Sequence, residues 1–230
     1  MEKINLIYEN LPKSMKNEYT KQYVNLLNNS KFSLCVKRVF DVVVSFIILL
    51  LLSPFFLILA AAIKIDSKGP VFYRQIRVGS YNKDFKIFKF RTMVQDADKI
   101  GLPLTVGDDP RVTRVGHLIR KLRLDEFSQL LNVLNGTMSL VGPRPEVRKY
   151  VDAYTDEYMA TLLIRPGITA TSSIAFKDED KILNSAENAE EVYVEKILPP
   201  KMKYNLEYMK NITLWNDIKI MFKTVAAVLK

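Results

Sequence analysis

Two carboxylates stand side by side in the stretch KLRLDEFSQLLNVLNG, residues 121–136: Asp125 and Glu126. Behind them Phe127, Leu130, Leu131 and Leu134 repeat at i, i+3, i+4 and i+7, which predicts a helix over 126–134. At the front of such a helix the pair has two readings. Asp is a favoured N-cap and Glu suits a first turn, so both would serve the helix itself. The same position also serves chemistry. A helix start offers unpaired N–H groups and the positive end of the dipole, which attract anions. Asp125 would then stay ionised, a nucleophile beside a phosphate or a metal–phosphate unit. Successive helical residues diverge by about 100°, so the two carboxylates divide the work: one attacks while the other holds a cation or moves a proton. The residues alone leave both readings open.

Phosphate chemistry needs cations, and several stand in motifs that aim them. In VGPRPE, residues 141–146, two prolines flank Arg144 and fix the backbone that carries its planar, bidentate fork. FKFRTM, residues 88–93, supplies Lys89 and Arg91. GDDPRVTRVG, residues 107–116, sets Asp108 and Asp109 beside Arg111 and Arg114. With Arg77 and Arg120 these form the candidate phosphate-binding set. Each is weak alone; a strongly anionic substrate would need several in one pocket.

Composition narrows the rest. The chain has 230 residues and a net charge of +9, from 34 Lys and Arg against 25 Asp and Glu, which favours anionic partners. Cys35 is its single cysteine and His117 its single histidine. An intramolecular disulfide, a Cys/His zinc cluster and a His-based triad are thereby excluded. Ser139 has no histidine partner to activate it. No helix-turn-helix, zinc or RNA-recognition signature accompanies the charge, so nucleic acid is not an expected partner.

The elements that must position these groups begin with a membrane segment. Residues 42–63, VVVSFIILLLLSPFFLILAAAI, carry no charge and are long enough to cross a bilayer. Ser53-Pro54 falls in the middle, where proline removes a backbone donor and the serine hydroxyl can satisfy the carbonyl so freed. Both flanks are basic: Lys31, Lys37 and Arg38 before, Lys64, Lys68, Arg74 and Arg77 after. That lack of asymmetry fits a segment that bends at Ser53-Pro54 and returns to its own side, and a kinked single pass fits as well. Residues 1–35 read as a polar arm, mobile or peripheral. Alternating residues on either side of 79–83 predict a cation-rich β-hairpin. Helices are predicted over 115–122 and 147–164, the latter stopped by Arg165-Pro166-Gly167, and residues 178–190 read as an acidic loop or exposed helix. Near the end, Leu214, Ile218, Met221, Val225 and Val228 form one helical stripe with Trp215 beside it, suited to the membrane interface or to plain core packing.

In this order, KRVFDVVVSFIILLLLSPFF, GPVFYRQIRVG, FKIFKFRTM, the run from DDPRVTRVG to VGPRPE, RPGIT and DIKIMFKTV resemble the bacterial sugar transferases, the monotopic polyprenol-phosphate phosphoglycosyl transferases, over about residues 36–226. The chain is similar to the small, single-domain form. The resemblance implies an α+β fold, mostly helical: a re-entrant membrane helix hairpin over 36–66, then a catalytic domain over 67–230 with interfacial amphipathic helices and a small β-hairpin. It implies transfer of a sugar-1-phosphate from a UDP-sugar to a polyprenol phosphate such as undecaprenyl phosphate, releasing UMP. By resemblance Asp125 is the nucleophile of a covalent aspartyl intermediate, Glu126 supports metal or acceptor, and Mg2+ is bound by the pair. It also implies the cytoplasmic face of the bacterial inner membrane, and downstream glycosyltransferases as partners. A scaffold that kept the fold without catalysis is the alternative.

The chain departs from the family pattern in two places. After RPGIT the family continues with Gly and a Gln-containing stretch, where this chain has ATSSIAFKDED; after the dyad it has Leu-Pro, where this chain has Phe127-Ser128. The first bears on the sugar or acceptor pocket. The second keeps an apolar residue and a residue suited to a first turn.

Overall fold

The computed structural model describes residues 6–97, 109–185 and 188–228. Helix α1, Glu18–Asn29, begins where Asn17 Oδ1 accepts the N–H of Thr20 at 2.8 Å, an ordinary N-cap. It buries Tyr23, Val24 and Leu27, and Leu11 and Met15 enter the same core from the preceding turns. The described part of the N-terminal arm is therefore packed rather than mobile or peripheral. Its Asn and Lys residues mask a sparse apolar set that lands on one side.

Helix α2, Lys31–Asp66, is long and apolar enough to cross a membrane, with a mean hydropathy of 3.0 over an 18-residue window. Helical structure continues past Pro54, so the segment for which the resemblance implies a hairpin is a single assigned helix. Pro54 cannot donate to Leu50 O, and Ser53 Oγ donates to that oxygen instead, at 2.8 Å. A single stripe of α2 packs on the rest of the protein: Lys37, Asp41 and Ser45 near the start, Leu59 and Ile63 near the end. The opposite face is bare, with Leu51 and Leu57 each 72% exposed.

Both ends of α2 are tied to one body. Lys37 Nζ meets Asp217 Oδ2 at 2.6 Å, and Asp41 Oδ2 accepts from Ser139 Oγ at 2.7 Å. At the other end Asp66 Oδ2 accepts from Val115 N at 2.9 Å, while Leu59 and Ile63 pack with Phe90 and Ile119. Burying an aliphatic side chain of that size contributes about 1.5–3 kcal/mol.

Strands β1, Phe72–Val78, and β2, Asp84–Phe90, form the expected antiparallel hairpin, with Tyr73 opposite Lys89. Helix α3, Arg114–Lys121, matches its prediction and is capped by Thr113. The predicted helix 126–134 divides into a 3-10 helix, Leu124–Gln129, and helix α4, Leu130–Leu134. A parallel pair joins β3, Ser139–Val141, to β4, Gly167–Thr169, with helix α5, Arg148–Val151, between them in sequence. The two backbones meet at glycines: a Cβ on Gly167 would lie 2.1 Å from Gly142 N, so RPGIT and VGPRP must both carry Gly to pair.

The predicted helix 147–164 is instead α5 and a 3-10 helix, Tyr158–Leu163. Thr155 Oγ1 accepts from Tyr158 N at 3.4 Å between them and starts a new turn. Three short helices follow, α6 (Thr171–Ala175), α7 (Glu179–Asn184) and α8 (Ala189–Val192). A π-helical turn, Tyr193–Ile197, leads into α9, Leu198–Lys210. Helix α10, Leu214–Val228, turns Asp217 and Ile220 inward and leaves Trp215, Phe222 and Val225 exposed, so Val225 is not on the core face; the side chain of Val228 lies outside the described residues.

Candidate active site

Arg123 adopts a left-handed conformation, φ 51°, immediately before the 3-10 helix that carries the dyad. For a residue with a Cβ this costs about 1–2 kcal/mol and turns the chain sharply. Neither Asp125 nor Glu126 caps: both lie in the first turn, and no side chain makes the cap hydrogen bond. The dyad's turn is instead pinned to β2. Ser128 Oγ lies 3.0 Å from Phe88 O and 2.9 Å from Asp125 O. Asn132 accepts from Phe88 N at 2.8 Å and donates to Lys86 O at 3.0 Å. Lys89, the residue after Phe88, is thereby held beside the two carboxylates.

The carboxylates have unequal partners. Arg144 grips Glu126 with both ends of its fork, Nη2 to Oε1 at 2.5 Å and Nη1 to Oε2 at 3.4 Å. Among the described residues Asp125 makes no ion pair. Their pKa values are pushed in opposite directions accordingly. Burial pushes Glu126 up, but the charge and hydrogen bonds of Arg144, with Lys89 and Arg123, outweigh it and bring Glu126 down to about 2. Burial also pushes Asp125 up; Lys89 opposes this, Glu126 adds to it, and the result stays above the ordinary aspartate value. The helix start therefore does not lower Asp125 below its ordinary value; burial moves it the other way. Environments that push two neighbouring carboxyls apart assign them different roles. Burial and the adjacent Arg144 lower Lys89 to about 8, although both carboxylates pull it up.

The remaining candidates sort by position. Arg120 donates to Thr92 Oγ1 at 2.9 Å, and its guanidinium feels the charge of Asp125. Arg77 stands behind the loop of Arg144, with Nη1 3.4 Å from Pro145 O and 3.9 Å from Glu146 Oε2. Arg91 belongs elsewhere: it is 5% exposed and closes the end of α2, donating through Nη2 to Ser67 O at 2.6 Å and Ile63 O at 3.3 Å. Arg111 is committed to Asp109, Nη2 to Oδ2 at 2.6 Å, and to Ala97 O. Arg114 is exposed at the start of α3. Asp108 lies outside the described residues.

A buried network behind Arg144 was not legible in the sequence. Tyr193 Oη donates to Glu146 Oε1 at 2.5 Å; Lys201 Nζ lies 3.1 Å from that Tyr193 oxygen, 3.6 Å from Glu146 Oε1 and 2.9 Å from Glu179 Oε2. Burial and Glu146 raise Tyr193, which therefore keeps its proton and donates it. Tyr193 lies on the π-helical turn, a distortion common at functional sites and invisible to a 3.6-residue pattern.

Among the described residues no group of three or more His, Cys, Asp or Glu is arranged to hold a metal. A divalent cation would find the two dyad carboxylates, one already gripped by Arg144. That suits Mg2+, which is commonly held by one or two carboxylates together with substrate phosphates. A cavity of about 790 Å3 lies between the start of α2 and the β1–β2 turn, lined by Arg38, Tyr81, Phe85 and Arg165 among others, and is separate from the dyad.

The family model described as bacterial sugar transferase matches residues 32–230. The chain is 41% identical over 197 residues to the UDP-N-acetylgalactosamine-undecaprenyl-phosphate N-acetylgalactosaminephosphotransferase of Aeromonas hydrophila, covering 84% of this chain and 44% of that protein. It is 39% identical over 195 residues to the UDP-glucose:undecaprenyl-phosphate glucose-1-phosphate transferase of Escherichia coli strain K12, covering 83% and 39%. It thus spans less than half the length of these two relatives. The exopolysaccharide production protein ExoY of Rhizobium meliloti is 34% identical over 207 residues, 84% of each chain.

Proposed function

The chain belongs to the bacterial sugar transferase family, and from that membership we propose that it transfers a sugar-1-phosphate from a UDP-sugar to a polyprenol phosphate, through an intermediate on Asp125. The observation that carries this reading is the asymmetry of the dyad: Glu126 is locked by Arg144 while Asp125 is uncommitted beside Lys89. A nucleophile must keep its lone pairs available, and a neighbour locked by arginine can shape the site without competing for the same atom.

In the first half-reaction an Asp125 carboxylate oxygen attacks the phosphorus that carries the sugar. The bond from that phosphorus to the bridging oxygen breaks, UMP leaves with its electron pair, and an acyl phosphate bearing the sugar remains. In the second, an oxygen of the lipid phosphate attacks the same phosphorus and the aspartyl oxygen departs, restoring Asp125. Lys89 and Arg120 face the charge that builds on the phosphoryl oxygens. Asp125 and Glu126 are the residues that would hold Mg2+, whose charge would offset that of the diphosphate. The lipid-linked product is a substrate for glycosyltransferases that extend it.

We also infer a monotopic seat on the cytoplasmic face, with α2 entering and leaving by one side. Its support is that Lys37 and Asp66, near opposite ends of α2, both bind the same folded body. The bare face of α2, with exposed Trp215 and Phe222 on α10, supplies apolar surface for lipid. The function is tested by UMP release across a panel of UDP-sugars with undecaprenyl phosphate and Mg2+; release from none would contradict it.

A further inference from the structure

The residue that follows the dyad is apolar, large and open. Phe127 shares a helical turn with Asp125 and Glu126, yet remains 39% exposed. Its ring centroid lies 6.4 Å from that of Phe56, two residues past Pro54 in the uncharged run of α2. Phe56 also meets Phe55 at 6.0 Å and Phe90 at 5.5 Å. Beside them α3, which packs on both α2 and the dyad's turn, carries Leu118, 56% exposed, and ends at its C-cap Leu122, 51% exposed. The uncommitted carboxylate therefore stands at the edge of an apolar surface continuous with the membrane helix.

We propose that this edge is the acceptor track: the isoprenoid chain next to the lipid phosphate lies against Phe127, Phe56 and Leu122, and so brings that phosphate to the phosphorus on Asp125. This rests on the phosphoglycosyl transfer reading and adds the route by which the second substrate arrives. A nucleobase can stack on a single aromatic ring, but apolar side chains that run from the membrane helix to the reacting carboxylate suit a phosphate carried on a hydrocarbon chain, which needs apolar surface that ends where the reaction occurs. Phe127 supplies that surface with a ring in contact with α2.

The two half-reactions separate the claims. Wild type, Phe127→Gln, Phe127→Leu and Leu122→Gln are loaded with UDP-sugar in the absence of acceptor. Adduct formation is followed by intact mass, then undecaprenyl phosphate in detergent micelles is added and adduct loss is timed. Phe127→Gln is expected to form adduct within about twofold of wild type and to raise the acceptor concentration for half-maximal discharge about tenfold or more. Phe127→Leu should restore discharge to near wild type. Leu122→Gln, at the exposed C-cap of α3 and outside the dyad's turn, should repeat the acceptor defect and covers the case in which Phe127→Gln fails to fold. Unchanged discharge in both Gln variants would overturn the track while leaving the transfer reading intact. Equal loss in both half-reactions would overturn it too, by making Phe127 a support for the dyad. No adduct in wild type would overturn both.

Discussion

Glu126 and Arg144, eighteen positions apart, meet fork to fork, with Nη2 and Oε1 2.5 Å apart and Nη1 and Oε2 3.4 Å apart. The contact removes one member of the dyad from competition. Glu126 is held ionised down to about pH 2, whereas Asp125, half-buried and without an ion pair among the described residues, is free to change bonding partners. The arginine depends in turn on Pro143 and Pro145, and on Glu146, which Lys201 and Tyr193 hold from behind.

Arg144→Lys keeps the charge and loses the fork. Removing a single aimed donor from a site that stabilises developing charge costs about 100-fold or more in turnover. UMP release by the variant should fall on that order, with its melting temperature near that of wild type because the pair is partly open to solvent. Near-normal turnover would show that Glu126 does not need its clamp.

Lys89 sets an alkaline limit. Its folded value of about 8 lies below that of a free lysine, so it loses its proton, and with it the charge facing the phosphates, as pH rises through about 8. Activity should fall there. The stability effect runs the other way: between about 8 and the free lysine value the unfolded chain binds more protons than the folded one, so this group makes folding more favourable as pH rises. Loss of rate without loss of stability above pH 8 identifies the site as the cause, and Lys89→Arg should move the limit upward.

Lys201 is 4% exposed and faces Glu146, Glu179 and Tyr193. Lys201→Met would leave Glu146 without its closest buried cation. Breaking a buried pair by removing one partner costs about 3–5 kcal/mol, so thermal or denaturant unfolding should shift clearly downward. A shift of less than about 1 kcal/mol would mean that Arg77 alone compensates Glu146.

Membrane-impermeant maleimide tests the seat of α2. Cys35 is exposed and is the only native thiol; Lys68→Cys in a Cys35→Ser background marks the other end. Labelling of both from the cytoplasmic side is expected in inverted vesicles, and none in right-side-out ones. Labels on opposite sides would establish a single crossing.

Much of this site was legible because its parts lie in short motifs. The adjacency of Asp125 and Glu126, the prolines around Arg144, the hairpin bearing Lys89 and the Ser53–Pro54 repair of Leu50 O all rest on residues close in sequence. Long-range facts were not legible. Nothing local tells that Arg91 turns back to close α2, 24 positions before it, or that Lys201 reaches Glu146 across 55. The periodicity of 126–134 predicted one helix, but Ser128 and Asn132 spend their side chains on β2, and the first half tightens to a 3-10 turn. The arm differs from its expectation for the opposite reason: its few apolar residues are too scattered to show a period, yet Met15 and Leu27 are fully buried.

In the proposed mechanism Asp125, and not Glu126, carries the phosphosugar. Its most direct test is the intact mass of purified wild type, Asp125→Asn and Glu126→Gln after incubation with Mg2+ and a turned-over UDP-sugar, without acceptor. Wild type is expected to gain the mass of one sugar-1-phosphate, Glu126→Gln to gain the same mass more slowly, and Asp125→Asn to gain none. An adduct of that mass on Asp125→Asn, or its absence only from Glu126→Gln, would contradict it.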